Sequence, residues 1–150
     1  MDANLAHLLQ AQARRQAQAT ALIDATGRPS RTVTFAELDA LAGQAAALLQ
    51  RHGLAAGDRV LTFHPRAADL YVAMAAFLRL GLVAVFVDPS AGRAHIDRCC
   101  ELAPPDALLA TPKAHLLRFL SPALRRIPYK FATGLGAPGA VRWASLHRLP

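Results

Sequence analysis

Three glycines, Gly134, Gly136 and Gly139, fit the G-x-G-x-x-G spacing in "GLGAPG". In a dinucleotide site such glycines permit a tight turn and close approach of a pyrophosphate, and the following helix N-terminus supplies amides. Here Pro138 sits inside the pattern and no helical period follows, so a surface loop is expected. The two lysines, Lys113 and Lys130, follow no Gly/Ser/Thr-rich loop, and no G-x-x-x-x-G-K-[ST] phosphate loop is present. Ser90 lies in "DPSAG" and not in a G-x-S-x-G elbow. Asp88 ends an apolar run at the carboxyl edge of a strand, where α/β proteins bind ligands. Two roles stay open for it: contact with a ligand, or organising the turn and capping the next helix together with Ser90, with Pro89 fixing the chain direction. The six histidines, His7, His52, His64, His95, His115 and His147, are scattered, and none pair at metal-ligand spacing on one helix face. The residues therefore assign no catalytic, cofactor-binding or metal-ligating position.

The cysteines are adjacent, Cys99 and Cys100, in the helical pattern "AHIDRCCELA". Neighbours on a helix point in different directions, and the pair gives neither zinc spacing nor a disulfide framework. Both read as small core residues in a reduced, cytoplasmic setting. At 53% hydrophobic and 18% charged residues over a length of 150, the composition is globular. Residues 1–106 balance ten basic against ten acidic side chains, whereas residues 107–150 carry seven basic and no acidic ones: Lys113, Arg118, Arg125, Arg126, Lys130, Arg142 and Arg148. Such asymmetry marks an acidic partner or a solvated face. Few aromatics accompany it and no nucleic-acid motif is visible, so nucleic-acid binding is not expected. The N-terminus lacks the basic and apolar regions of a secretory signal and reads as an ordinary helix.

The elements that must position these residues follow from the apolar period. Leu5, Leu8 and Leu9 form a stripe at helical spacing. "ATALID" and "SRTVTF" flank the turn residues Gly27 and Pro29 and predict a hairpin. Thr34 and Glu37 have capping-box spacing at the start of a helix that carries Leu38, Leu41, Leu48 and Leu49, and Gly53 is placed to end it. From Leu70 to Val87 only Arg79 is charged, a span long enough for a membrane helix. Arg79 falls near its middle, Gly81 follows, and the composition then switches to the β-branched and aromatic "VAVFV". A helix, a glycine stop and a strand account for all three features, and no membrane span is predicted. "RVLTFH", "VAVFV", "DALLAT" and "YKFAT" read as strands covered on both faces, with helical crossovers between them. The last crossover, "PKAHLLRFLSPALRRI", breaks at Pro122. The predicted fold class is α/β, a mostly parallel sheet with crossover helices, preceded by an N-terminal helix and β-hairpin. From Gly134 onward the period weakens without a closing element, which leads us to expect the front part of a longer domain.

Several of these segments, in order, resemble one family. "VTFAELDALAGQAAALLQRHGLAAGDRV" resembles the opening of the adenylate-forming, AMP-binding ligases, in which a T-[FY]-x-E-L segment starts a helix ending before G-[DE]-x-V. "MAAFLRLGLVAVFVDPS" resembles their next motif, ending in [LV]-D-P, and "PPDALLAT" resembles the strand after it. The resemblance covers about residues 20–133. "VFVDPSAGR", "KAHLLRFLSPALRR" and "RWASL" look closest to fatty acid CoA ligase-like or olefin β-lactone synthetase-like members.

The resemblance implies activation of a carboxylate, such as a fatty acid, with ATP and magnesium. It also implies an α/β ligase fold, of which residues 1–150 would form a partial first subdomain. The chain departs from the family in having no Ser/Thr/Gly-rich loop ending in Pro-Lys-Gly, so no catalytic residue carries over. The expectation is an N-terminal fragment of an acyl-CoA synthetase-like ligase, inactive alone, with no cofactor held by this chain. Its expected partner is the remainder of a ligase domain, supplied by another chain. The alternative is a non-catalytic α/β protein-interaction module.

Overall fold

A computed structural model describes residues 4–64 and 67–143. The first helix, α1 (Leu5–Arg15), is capped by Asn4, whose side chain accepts from the amide of Ala6. It turns Ala6, Leu9 and Ala13 toward the core and leaves Leu5 and Leu8 exposed, so only part of the leucine stripe is buried. Strands β1 (Thr20–Asp24) and β2 (Arg31–Thr34) form the expected antiparallel hairpin.

Helix α2 (Phe35–Arg51) starts with the predicted capping box: Glu37 N–H donates to Thr34 Oγ1 at 3.2 Å, and Thr34 N–H donates to Glu37 Oε2 at 2.7 Å. It stops in a Schellman arrangement. Gly53 has φ 95°, its amide donates to Gln50 O, and the Leu54 amide donates to Leu49 O. Leu49 and Leu54 are both buried beneath that turn.

Five parallel strands follow: β3 (Arg59–Phe63), β4 (Val83–Phe86), β5 (Ala107–Ala110), β6 (Tyr129–Ala132) and the short β7 (Val141–Arg142). Their spatial order is β4-β3-β5-β6-β7. Helix α3 (Ala68–Leu80) connects β3 to β4 and α4 (Arg93–Leu102) connects β4 to β5. Three short helices, α5 (Pro112–His115), α6 (Leu117–Leu120) and α7 (Pro122–Arg126), connect β5 to β6.

The segment from Leu70 to Val87 is thus a helix, a left-handed Gly81 (φ 69°) and a strand, as its composition predicted. Among the described residues no helix is long and apolar enough to cross a membrane. Strand β7 was not foreseen, because two residues carry no readable period.

Side chains of the central strands alternate between two apolar cores. Val60, Ala107, Leu109 and Phe131 face the layer built from α2 and α3. Leu61, Phe63, Leu108 and Ala110 face α4 and α7. With both faces covered, these strands read as continuous apolar runs.

The candidate site at the carboxyl edge of the sheet

The strand order reverses at β3: α3 leads outward to β4, and α4 leads back across to β5. A crevice forms outside the carboxyl ends of strands at such a reversal. Here it is a cavity of about 420 Å³, lined by Thr62, Phe63, His64, Phe86, Val87, Pro89, Thr111 and Ala114.

Its polar groups are few. His64 directly follows β3, and its Nε2 lies 3.2 Å from Thr133 Oγ1 beyond the end of β6. The buried Thr62 hydroxyl donates to Val60 O at 3.4 Å. Thr111 caps α5, accepting from the Ala114 amide at 3.2 Å. The described lining contains hydroxyls and one imidazole but neither a carboxylate nor a cation. It can hydrogen-bond a neutral polar group and has nothing to balance a polyphosphate.

Asp88 lies at the same edge but is occupied by its own turn. Its Oδ1 accepts from the Ser90 amide at 2.8 Å and from the Ser90 hydroxyl at 2.7 Å. These two bonds hold its carboxyl below the ordinary carboxylate range, with a smaller contribution from the charge of His95. Of the two roles left open by the sequence, the structure displays turn organisation over the single 3-10 turn Pro89–Ala91. The location rule that singled out Asp88 applied equally to His64, the residue after β3.

The glycine-rich segment does follow a strand, β6, and all three glycines take positive φ: Gly134 62°, Gly136 91° and Gly139 69°. It then runs into β7 instead of a helix. It is fastened by arginines. Arg118 Nη2 donates to Pro138 O at 2.7 Å, and Arg142 Nε donates to Gly134 O at 3.3 Å. Arg118 Nη1 also lies 3.2 Å from Nδ1 of His115. The His115 ring is 3% exposed and its Nε2 donates to Phe131 O at 2.8 Å. Nδ1 is thereby left as an acceptor, and burial pushes the imidazole below its ordinary value, aided by the charges of Arg118 and Lys130.

Lys130 donates to Ile127 O, and burial lowers its ammonium as well, with Arg118 adding to the effect. Three of the seven cations of the basic third therefore hold backbone carbonyls. Lys113, Arg125 and Arg126 are exposed. Arg148, His147 and most of "RWASL" lie outside the described residues.

The fold and these motifs agree with comparisons to known proteins. A family profile described as AMP-binding enzyme matches residues 9–130. An olefin beta-lactone synthetase from Xanthomonas campestris is 34% identical over 89 residues, covering 59% of this chain and 16% of that protein. A medium/long-chain-fatty-acid–[acyl-carrier-protein] ligase, FadD10, from Mycobacterium tuberculosis is 33% identical over 118 residues, covering 78% of this chain and 22% of that protein. Among solved structures, Mycobacterium smegmatis MbtA superposes with a TM-score of 0.78 at 29% identity, covering 96% of this chain and 27% of that one. The chain thus spans between about a sixth and a quarter of the proteins it matches. With a profile match over most of its length, an ordered set of motifs and the same sheet, this chain belongs to the AMP-binding enzyme family of adenylate-forming ligases.

Proposed function

We propose that this chain forms the N-terminal part of an ATP-dependent, acyl-CoA synthetase-like ligase that activates a carboxylic or fatty acid, and that residues 1–150 alone do not catalyse that reaction. The carrying observation is the mismatch in extent. The family profile covers most of this chain, yet the chain covers only 16% and 22% of two ligase-type relatives. The named activities of those relatives, on fatty acids and on olefin β-lactone formation, support an acyl substrate class.

ATP and magnesium, which the family implies, do not fit the residues described. Adenylate formation gathers anions and expels pyrophosphate, so it needs preorganised cations and amides around the phosphates. Among the described residues no group of three His, Cys, Asp or Glu side chains is placed to hold a metal. Arg118, Lys130 and Arg142 are engaged with carbonyls, and Lys113 is exposed in α5 with no phosphate loop before it. Positioning supplies a large part of rate enhancement, and charge without geometry does not replace it. The remainder of the ligase domain is the partner this reading requires.

The test is ATP–pyrophosphate exchange by the purified chain with magnesium and a panel of fatty and aromatic acids. No exchange above a heat-killed control is expected. Turnover that is lost on Lys113→Ala or Lys130→Ala would overturn the claim that the catalytic groups lie elsewhere. The DNA downstream of Pro150 discriminates the alternative: a Ser/Thr/Gly-rich stretch ending in Pro-Lys-Gly supports the ligase, and its absence favours a protein-interaction module.

A further inference from the structure

The two edges of the parallel sheet are unlike. Strand β7 has two residues, a short edge of the kind that discourages pairing. Strand β4 reads Val83-Ala84-Val85-Phe86, wholly apolar, with no charge, proline or bulge to guard it. Among the described residues no strand lies on its outer side. Val83 is 46% and Phe86 54% exposed, and Ala84 is exposed as well. Val83 N–H donates to Asp58 O at 2.8 Å, on the β3 side. Backbone groups alternate in direction along a strand. Val83 and Val85 therefore turn theirs to β3, and Ala84 and Phe86 turn theirs outward.

We propose that β4 is a self-pairing edge, at which two copies of this chain join antiparallel about a two-fold axis beside Val85. In that register Ala84 N–H donates to O of the partner's Phe86, Phe86 N–H donates to O of the partner's Ala84, and the same bonds form in reverse. The side chains match. Ala84 pairs in register with Val60, so it and Phe86 lie on the α3 face, where Phe86 comes to lie across from the partner's Ala84. On the α4 face Val85 meets the partner's Val85, and Val83 meets the partner's Val87. Helix α3 covers β4 and keeps Tyr71, Met74 and Leu78, at helical spacing, 37–43% exposed. The two-fold sets that helix beside the partner's α3 and extends the apolar contact beyond the strands. Charge favours the same seam. The seven basic residues unmatched by acidic ones fall in 107–150, the part that builds β5, β6 and β7 on the far side of β3. Joining at β4 keeps the two positive ends apart and buries no ion. This pairing belongs to the chain itself and does not rest on the ligase reading, which the exchange assay tests separately.

The test is sedimentation equilibrium of the whole chain over a wide concentration range. A reversible monomer–dimer equilibrium is expected. Ala84→Pro removes an outward N–H and leaves the ladder to β3 intact, so it should abolish the dimer with an unchanged far-UV spectrum. Phe86→Lys and Phe86→Glu should each weaken dimerisation about tenfold or more, and an equal mixture of the two should restore it, which loss of folding cannot imitate. Val85 and the partner's Val85 would form a non-hydrogen-bonded pair with Cα atoms about 4.5 Å apart, within disulfide reach. Val85→Cys should therefore cross-link two copies under a mild oxidant, with the link mapped to position 85 by peptide mass. It is built on Cys99→Ser, because Cys99 is partly exposed and not in the core as the sequence suggested, whereas Cys100 is buried. A monomer at every concentration, or an open-ended aggregate, would overturn the proposal. So would a dimer indifferent to Ala84→Pro and to both Phe86 charges, or one that gives no link at position 85.

Discussion

The two faces of the parallel sheet are covered in different ways. On one, two long helices, α2 of 17 residues and α3 of 13, lie against each other and the strands. Ala42, Ala45, Ala73 and Ala76 let them approach, and all four are almost wholly buried. Large side chains fill the remaining space: Leu49, Phe77 and Trp143. On the other face, α4 of ten residues is joined by three helices of four or five. Leu116, Phe119 and Leu120 there remain about 60% exposed or more. Polar links hold the pieces: Ser121 to Asp97, His115 to Phe131 O, and Arg118 to Pro138 O. Both layers bury apolar side chains, but the first does so with two long helices joined by the Arg79–Asp39 ion pair, whereas the second sets a smaller core among short helices tied by several hydrogen bonds with defined donors and acceptors. The two layers should therefore respond differently to truncation, to pH and to charge removal.

The largest effect belongs to the first layer. Phe77 is 2% exposed in the middle of the core of α2, α3 and the sheet. Phe77→Ala removes its transfer free energy and leaves a cavity that rigid helices cannot close, a loss of about 3–5 kcal/mol. Urea unfolding followed by far-UV circular dichroism should show a large drop in midpoint. A loss below about 1 kcal/mol would mean that the two long helices close over the missing ring after all.

A smaller effect, with a pH signature, is expected in the second layer. His115→Ala leaves the Phe131 carbonyl and one face of the Arg118 guanidinium without their partner, a cost of about 1–3 kcal/mol. The buried ring is held neutral in the folded chain, so its folded pKa lies below the unfolded value near 6.5. Above that value neither state binds the proton, and the stabilisation is complete. As pH falls below about 6.5 the unfolded chain takes up a proton that the folded chain resists, and stability declines toward the lower folded pKa. Wild type should therefore lose stability between neutral pH and about 5.5 more steeply than His115→Ala. Parallel slopes would show that the imidazole is not held neutral. Hydrogen exchange should locate the opening in β6 and the glycine-rich segment, because Arg118 links the ring to Pro138.

The same contrast explains what the sequence disclosed. The first layer was legible because its elements announce themselves: Thr34 and Glu37 at spacing three, Gly53 after Leu49, Gly81 between a helical and a β-branched run. Each is a local signal, and each occurs in the structure. The order of strands was not legible, since apolar runs covered on both faces look alike. The second layer was legible only as a helical stretch broken at Pro122, and its second break at Leu116 carries no glycine or proline.

The basic third looked like a binding face. Three of its cations instead fasten carbonyls 3 to 20 residues away, which no local pattern reveals. One link in the first layer was equally hidden. The start of α3 has no cap from Ala67, and the Ala68 amide donates to Asp24 Oδ2 at 3.0 Å, from the end of the hairpin 44 residues earlier. For the candidate site, the sequence supplied the edge of the sheet but not the cavity, because His64 and Thr133 meet across strands.

The smallest effects lie on the outside of the second layer, where two residues of one ion pair should part company. Arg93 Nε lies 3.5 Å from Asp97 Oδ2, and the Arg93 side chain is 65% exposed. A single long contact of this kind, screened by water and salt, contributes about 0–0.5 kcal/mol. Arg93→Ala should leave the urea midpoint almost unchanged. Asp97 has a second partner: its Oδ1 accepts from the hydroxyl of Ser121, which is 1% exposed and also caps α7 by accepting from the Leu124 amide at 3.2 Å. Asp97→Ala therefore leaves a buried hydroxyl hydrogen without an acceptor, at about 1–2 kcal/mol. Ser121→Ala should recover little of that loss in the double variant, since it also removes the cap. Thermal unfolding of Arg93→Ala, Asp97→Ala and the pair together measures the difference directly. If Arg93→Ala costs as much as Asp97→Ala, the ion pair within α4 matters as much as the hydrogen bond that ties α4 to Ser121 at the start of α7, and surface charge organises the second layer after all.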